Sequence, residues 1–207
     1  MCSGVLLLFD AGLTLAWQEP VSALMAGRDQ AALRDELQGL DKQVATDKQV
    51  VAGEQNIRRR LAQLARLQAR RDSEGDAIGR LSLPALGRSY VVVEGTDLTD
   101  LRKGPGHYPK TPLPGQGGTV GVAGHRTTYG APFRTVDKLK RGDELRMEMP
   151  YGRFTYRVDK IQIVKPNATW ITDKRKSETL VLSACHPLYS AARRIVVFST
   201  LVRSEPR

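Results

Sequence analysis

The stretch TLVLSACHPLYSAARRIVV, residues 179–197, decides how this chain is read. An apolar run ends at Cys185, a loop containing Pro187 follows, and the pair Arg193 and Arg194 opens a second apolar run that continues through Phe198. Both runs are short and bounded by polar or turn-forming residues, which is the pattern of β-strands. A loop with an antiparallel return brings the start of the second strand beside the end of the first. A cysteine and an arginine therefore meet at one sheet end.

Working outward, the same pattern recurs at 78–83, 90–94, 119–123, 144–149, 153–164, 179–183 and 194–200, separated by glycine and proline. MPYG at 149–152 reads as a hairpin turn in which Gly152 takes a positive φ, and PGQGG at 114–118 reads as a tight loop. Seven or eight strands in residues 78–203 make an all-β domain, a closed barrel or a sandwich, with 204–207 as a short tail. Strand pattern alone does not choose between barrel and sandwich.

The chain before this domain is different in kind. Residues 28–72 contain no proline and are rich in Ala, Leu, Gln and charged residues. Leu33, Leu37, Leu40 and Val44 fall on one helix face; Asp47 and Glu54 interrupt it, Gly53 weakens it, and Ile57, Leu61 and Leu64 resume it in a shifted phase. With the polar hinge RDSEGD at 71–76, residues 28–77 are expected to form a helical stalk or short coiled coil, able to self-associate weakly through its seam. Residues 4–26 are apolar apart from Asp10, Gln18, Glu19 and small polar residues. Residues 1–27 are read as a transmembrane anchor, shorter than the roughly twenty residues a span needs and truncated at its start.

Charge and cysteine count restrict function. The net charge is +10, and it sits C-terminally: residues 81–207 hold twenty-one basic against eleven acidic groups. The basic residues are scattered, without the aromatic-interleaved stripe of a nucleic-acid surface, so nucleic acid is not an expected partner. Cys2 and Cys185 lie in unlike halves of the chain. That argues against a disulfide framework and against a thiolate metal site, and leaves Cys185 as a free thiol, either buried and inert or a nucleophile.

A nucleophilic thiol needs a base. Of the three histidines, His186 adjoins Cys185 and points to the opposite face of an extended strand. His107 sits in the loop-like GPGHYP, whereas His125 follows the strand TVGVA directly and is the best placed. Carbonyl chemistry also needs a group to hold developing negative charge, and Arg193 and Arg194 both qualify on spacing. Cysteine, histidine and arginine together describe thiol acyl transfer, with water or an amine as the second nucleophile.

These motifs resemble those of the sortase family: GHR at 124–126, TLVLSAC at 179–185 and the strand at 194–197. TDLTDLRKGPGHYPKTPLPGQGG at 96–118, AGHRTTYGAPF at 123–133 and CHP at 185–187 resemble the actinobacterial class E members. The resemblance implies a closed eight-stranded barrel with Cys185 as nucleophile, His125 as proton donor and acceptor, and Arg194 as the group that holds substrate and oxyanion. It implies cleavage of a sorting signal between Thr and Gly in secreted proteins, and transfer to an amine of the peptidoglycan precursor. It also implies a single-pass anchor in the cytoplasmic membrane lipid, the barrel outside, and no cofactor or metal. The family often has Thr before the cysteine; here Ala184 stands there, preceded by Ser183, so the residues lining the substrate at this point differ. Tyr129 resembles the class E tyrosine associated with LAXTG-like rather than LPXTG-like signals. A pilin-polymerising enzyme, a cysteine endopeptidase and a non-catalytic scaffold are the competing readings.

Overall fold

The computed structural model describes residues 20–207. Eight strands close into a barrel: β1 (Ala77–Leu83), β2 (Arg88–Glu94), β3 (Gly106–His107), β4 (Thr119–Ala123), β5 (Glu144–Met149), β6 (Gly152–Val164), β7 (Thr179–His186) and β8 (Arg193–Pro206). Their order around the barrel is β1-β2-β3-β4-β7-β8-β6-β5, and β5 returns to β1. Most pairs are antiparallel; β4 runs parallel to β7, and β3 parallel to β2. The closed barrel, one of two architectures open to strand pattern, leaves no free edge along β7, the strand that carries Cys185.

Alternation along each strand divides the molecule into an inside and an outside. Val120 and Val122 of β4, Leu180, Leu182 and Ala184 of β7, and Ile195 and Val197 of β8 fill the barrel with Leu81, Met147, Phe154 and Tyr156. The opposite set, Val181, Val196 and Phe198, lies outside and is covered by Val164 and Ile171, the latter in the 3₁₀ turn Thr169–Thr172 of the β6–β7 connection. Cys185 belongs by parity to the outer set.

All seven expected strands are present. The eighth, β3, has only two residues in a proline-flanked loop, too short to show an alternation, yet it bridges β2 and β4. β8 is longer than expected: Ser204, Glu205 and Pro206 pair with Phe154, Arg153 and Gly152, so the residues expected as a tail are largely strand. Gly152 also serves differently. Its φ is not among the positive ones, and glycine is required because a Cβ there would lie 2.8 Å from the Glu205 carbonyl and 2.9 Å from Leu61.

The helices depart most from expectation. α1 (Pro20–Val50) and α2 (Ile57–Ala69) do not form a free-standing stalk or a coiled coil; both lie on the barrel. Leu33 and Leu37 pack on Ala77, Val91 and Val93, outside β1 and β2. The Gln30 amide bonds the backbone of β2 in both directions, accepting from Val91 N–H at 2.8 Å and donating to Val91 O at 3.0 Å. Glu36 accepts from Ala77 N–H at 2.8 Å. Asp47, an interruption of the apolar seam in the sequence, is buried and takes both guanidinium nitrogens of Arg71, at 2.9 and 2.6 Å. The seam is therefore built for the barrel, and the face expected to pair two copies is already covered. The shift of phase at Ile57 marks a new helix, capped by the Asn56 side chain on Arg59 N–H. α2 places Leu61, Leu64 and Ala65 in the barrel core, closing one end.

Among the described residues no helix is long and apolar enough to cross a membrane. The apolar stretch expected as an anchor lies mainly in residues 1–19, outside the described residues.

Candidate active site

β7 lies between β4 and β8, and each contributes to its outer face. On one side Cys185 is directly opposite Arg194, and His186 opposite Arg193. Opposed residues of an antiparallel pair share a face, so Arg194 shares that of the thiol and Arg193 does not. On the other side the parallel register reaches Ala123 against Ser183, and the ladder gains one further bond from Gly124 N–H to Ser183 O at 3.0 Å. Two residues beyond each member of that pair stand His125 and Cys185. Cysteine and arginine are thus paired across β7 and β8, and the histidine stands in the loop that leaves the end of the neighbouring β4.

The thiol is half-exposed and free. His125 is half-buried, and its Nε2 is buried without a hydrogen-bond partner. Burial pushes the imidazole below its ordinary value, and the Arg102 cation adds to this. The neutral ring is the form able to take a proton from a thiol. The loop after it is tightly formed. Phe133 N–H returns to His125 O at 2.9 Å, and the Phe133 ring lies where a Cβ on Gly124 would have to be. Tyr129 adopts φ +50° and sets its ring 5.2 Å from that of His125, with the Arg102 guanidinium 5.5 Å from the Tyr129 ring centre. Tyr129, proposed from the sequence to touch substrate, is thus packed on the imidazole.

Arg194 donates from Nη1 to Ala191 O and Arg193 O, both at 3.0 Å, which holds its head over the β7–β8 loop. Arg194 also lines a groove of about 570 Å³ together with Tyr108, Thr111, Ala168, Ile171 and Thr172. Ala184, expected beside the substrate, points into the barrel core and is 4% exposed. A change there acts on the site from beneath. Ser183 is on the cysteine's face but buried, its hydroxyl 2.8 Å from Tyr108 OH.

The two other histidines are occupied. His107 is buried on β3, with Nδ1 2.8 Å from Glu94 and Nε2 2.9 Å from Thr111 Oγ1. His186 Nδ1 is 3.2 Å from Arg126 Nη1. Sequence reasoning missed Tyr108, Arg102 and Arg126 as members of this region. The first two lie within 96–118 and Arg126 within GHR, so the motifs marked the segments without marking the side chains. Among the described residues no cluster of three His, Cys, Asp or Glu side chains is placed to hold a metal.

Residues 81–202 match the model of the sortase domain family. The chain is 37% identical over 132 residues to sortase D of Bacillus subtilis, a match covering 62% of this chain and 65% of that protein. A Clostridium perfringens sortase D5 transpeptidase superposes with a TM-score of 0.62 and 26% identity, over 67% of this chain and 87% of the other. Sortase E1 of Streptomyces coelicolor, solved with a tripeptide in its active site, gives 0.61 and 28% identity, over 66% and 94%. The chain spans between 42 and 65% of the length of the curated relatives it matches.

Proposed function

The chain belongs to the sortase family, and we propose that it is a cysteine transpeptidase acting on a sorting signal at the membrane's outer surface. The observation that carries this reading is that Cys185 and Arg194 are register partners on one face of β7 and β8, with His125 two residues past the β4 residue that pairs with Ser183. His125 takes the proton from the Cys185 thiol, and Sγ attacks the carbonyl carbon of Thr in the signal. Arg194 N–H groups hold the oxygen as it becomes negative. The C–N bond to Gly breaks, and the departing amine takes the proton from His125. An acyl thioester remains on Cys185. An amine of the peptidoglycan precursor then attacks the same carbon, His125 takes its proton, and the sulfur leaves to regain its hydrogen. Tyr129 beside His125 supports a preference for LAXTG-like signals. The apolar residues 4–26 and the charge of +10 support tethering to an anionic membrane surface, with the barrel outside.

The test incubates the full chain with matched LAXTG and LPXTG peptides and hydroxylamine, with products followed by mass spectrometry. Expected are a Cys185 acyl adduct, cleavage between Thr and Gly, hydroxamate in excess over free acid, and faster turnover of LAXTG. Free acid alone would make the enzyme an endopeptidase, and cleavage unaffected by Cys185→Ala would remove the mechanism. Protease accessibility of the barrel on intact cells tests its location.

A further inference from the structure

The residue after His125 touches the residue after Cys185. Arg126 is 3% exposed, and its Nη1 lies 3.2 Å from His186 Nδ1. A guanidinium only donates, so Nδ1 supplies the lone pair and His186 carries its hydrogen on Nε2. Nη2 of the same arginine donates to Arg134 O at 3.0 Å and to Asp137 Oδ1 at 2.9 Å. The Asp137 carboxylate compensates the buried charge. One side chain thus joins the start of the His125 loop, the end of that loop and the end of β7.

This placement matters because of where the backbone ladder stops. The last rung between β4 and β7 is Gly124 N–H to Ser183 O. The reacting side chains lie beyond it, where no backbone bond sets the distance between the strands. Arg126–His186 is the next link outward. It lies on the reverse side of the strand ends: Cys185 and Arg194 share one face, and His186 belongs to the other. Tension in this link moves the two strand ends together without touching substrate.

We infer that Arg126 is a positioning residue that sets the separation of the His125 imidazole from the Cys185 thiol, an inference resting on the thiol-transfer reading above. A displacement of about 1 Å costs on the order of 100-fold in rate. Arg126→Met is therefore expected to lower kcat by about 30- to 100-fold while KM for the peptide stays within about threefold. His186→Leu removes the acceptor and leaves Arg126 its other partners, so it should reproduce the loss. His186→Gln restores an oxygen acceptor and should recover most of the rate.

The deciding measurement is the pH profile of Cys185 alkylation by iodoacetamide on the full chain, beside peptide kinetics. The profiles of Arg126→Met and His186→Leu should shift from wild type toward that of His125→Ala, which reports loss of coupling between thiol and imidazole. A profile and kcat that stay at wild type, with only a lowered melting temperature, would make Arg126 a plain structural residue and overturn the inference. If Arg126→Met does not fold, His186→Leu carries the same test. If wild type cleaves no peptide, the transpeptidase reading fails, and the alkylation profiles still decide whether Arg126 couples the two groups.

Discussion

Strand β7 begins and ends in contrasting surroundings. Just before its first residue, the Glu178 carboxylate accepts from Gly115 N–H, Gly117 N–H and the Tyr156 hydroxyl, the last at 2.6 Å. Nearby, Tyr151 OH donates to Pro114 O at 2.6 Å. Burial first, and then the Glu178 charge, hold both phenols well above their ordinary value, so they remain donors. Leu61 of α2 closes the barrel against Phe154 and Gly152 in this region. At the far end of the same strand, Cys185 is half-exposed and His125 Nε2 has no partner. One end satisfies the Glu178 carboxylate and both phenols, which stabilises the barrel. The other leaves valences open, which costs stability and makes chemistry available.

The sharpest test of that contrast is at the reactive end. Arg194→Ala should lower kcat/KM by about 10²- to 10³-fold, the range for loss of an oxyanion donor, with the melting temperature little changed. Arg193→Ala, on the opposite face, should stay within about threefold of wild type. Steady-state peptide kinetics decide this, and the reverse order would break the assignment of faces.

Glu178→Ala probes the other end. It leaves two amides and a buried phenol without their acceptor, an expected loss of about 2–4 kcal/mol in urea unfolding. The kcat of the protein that remains folded should be unchanged. A collapse of kcat in fully folded Glu178→Ala would show that the two ends are not separable.

A smaller effect is expected where α1 meets the barrel. Gln30→Ala removes the clamp on Val91 and the bond to Lys103 O, at a cost of about 1–3 kcal/mol. Hydrogen exchange should quicken in α1 around Gln30 before it does in β7. Uniform quickening would mean that α1 and the barrel open as one unit.

The smallest effect concerns Asp72, which donor Gln68 reaches at 3.1 Å. Burial, opposed by that hydrogen bond, raises its carboxyl to about 7. The folded value exceeds the unfolded one, so the folded state holds the proton more tightly. The contribution of Asp72 to stability is therefore fully present below about pH 4 and is lost as pH rises through 7, where the carboxylate must be buried charged. Asp72→Asn should raise the melting temperature by a few degrees at pH 8, about 2–4 °C, and leave it unchanged at pH 3.5. Equal shifts at both pH values would remove burial of charge as the cause.

Much of the barrel was legible because its strands are short apolar runs split by glycine and proline. Thr119–Ala123, Glu144–Met149 and the apolar part of Thr179–His186 show their strand character within a few residues. β3 was not legible, because two residues carry no period and its pairing is imposed by β2 and β4. Cys185 and His125 stood out as a lone thiol and a histidine at a strand end. Ala184 was misplaced toward the substrate because adjacency in sequence reverses the face in a strand. The α1 seam showed its helical period but not its partner. Asp47 looked like a defect until Arg71, twenty-four residues away, supplied the second half of the pair.

Composition, alternation and the order of motifs in this sequence were enough to specify a β domain preceded by helices, and the three residue types at its site. Those signals are local, carried by residues two to four positions apart. Two matters rested on the tertiary structure alone: that α1 folds back onto the sheet, and that Arg126 meets His186. Each depends on groups far apart in the chain, 61 residues for Gln30 and Val91 and 60 for Arg126 and His186. No local period encodes such pairings; they form only when the strand register and the packed core have brought the groups together.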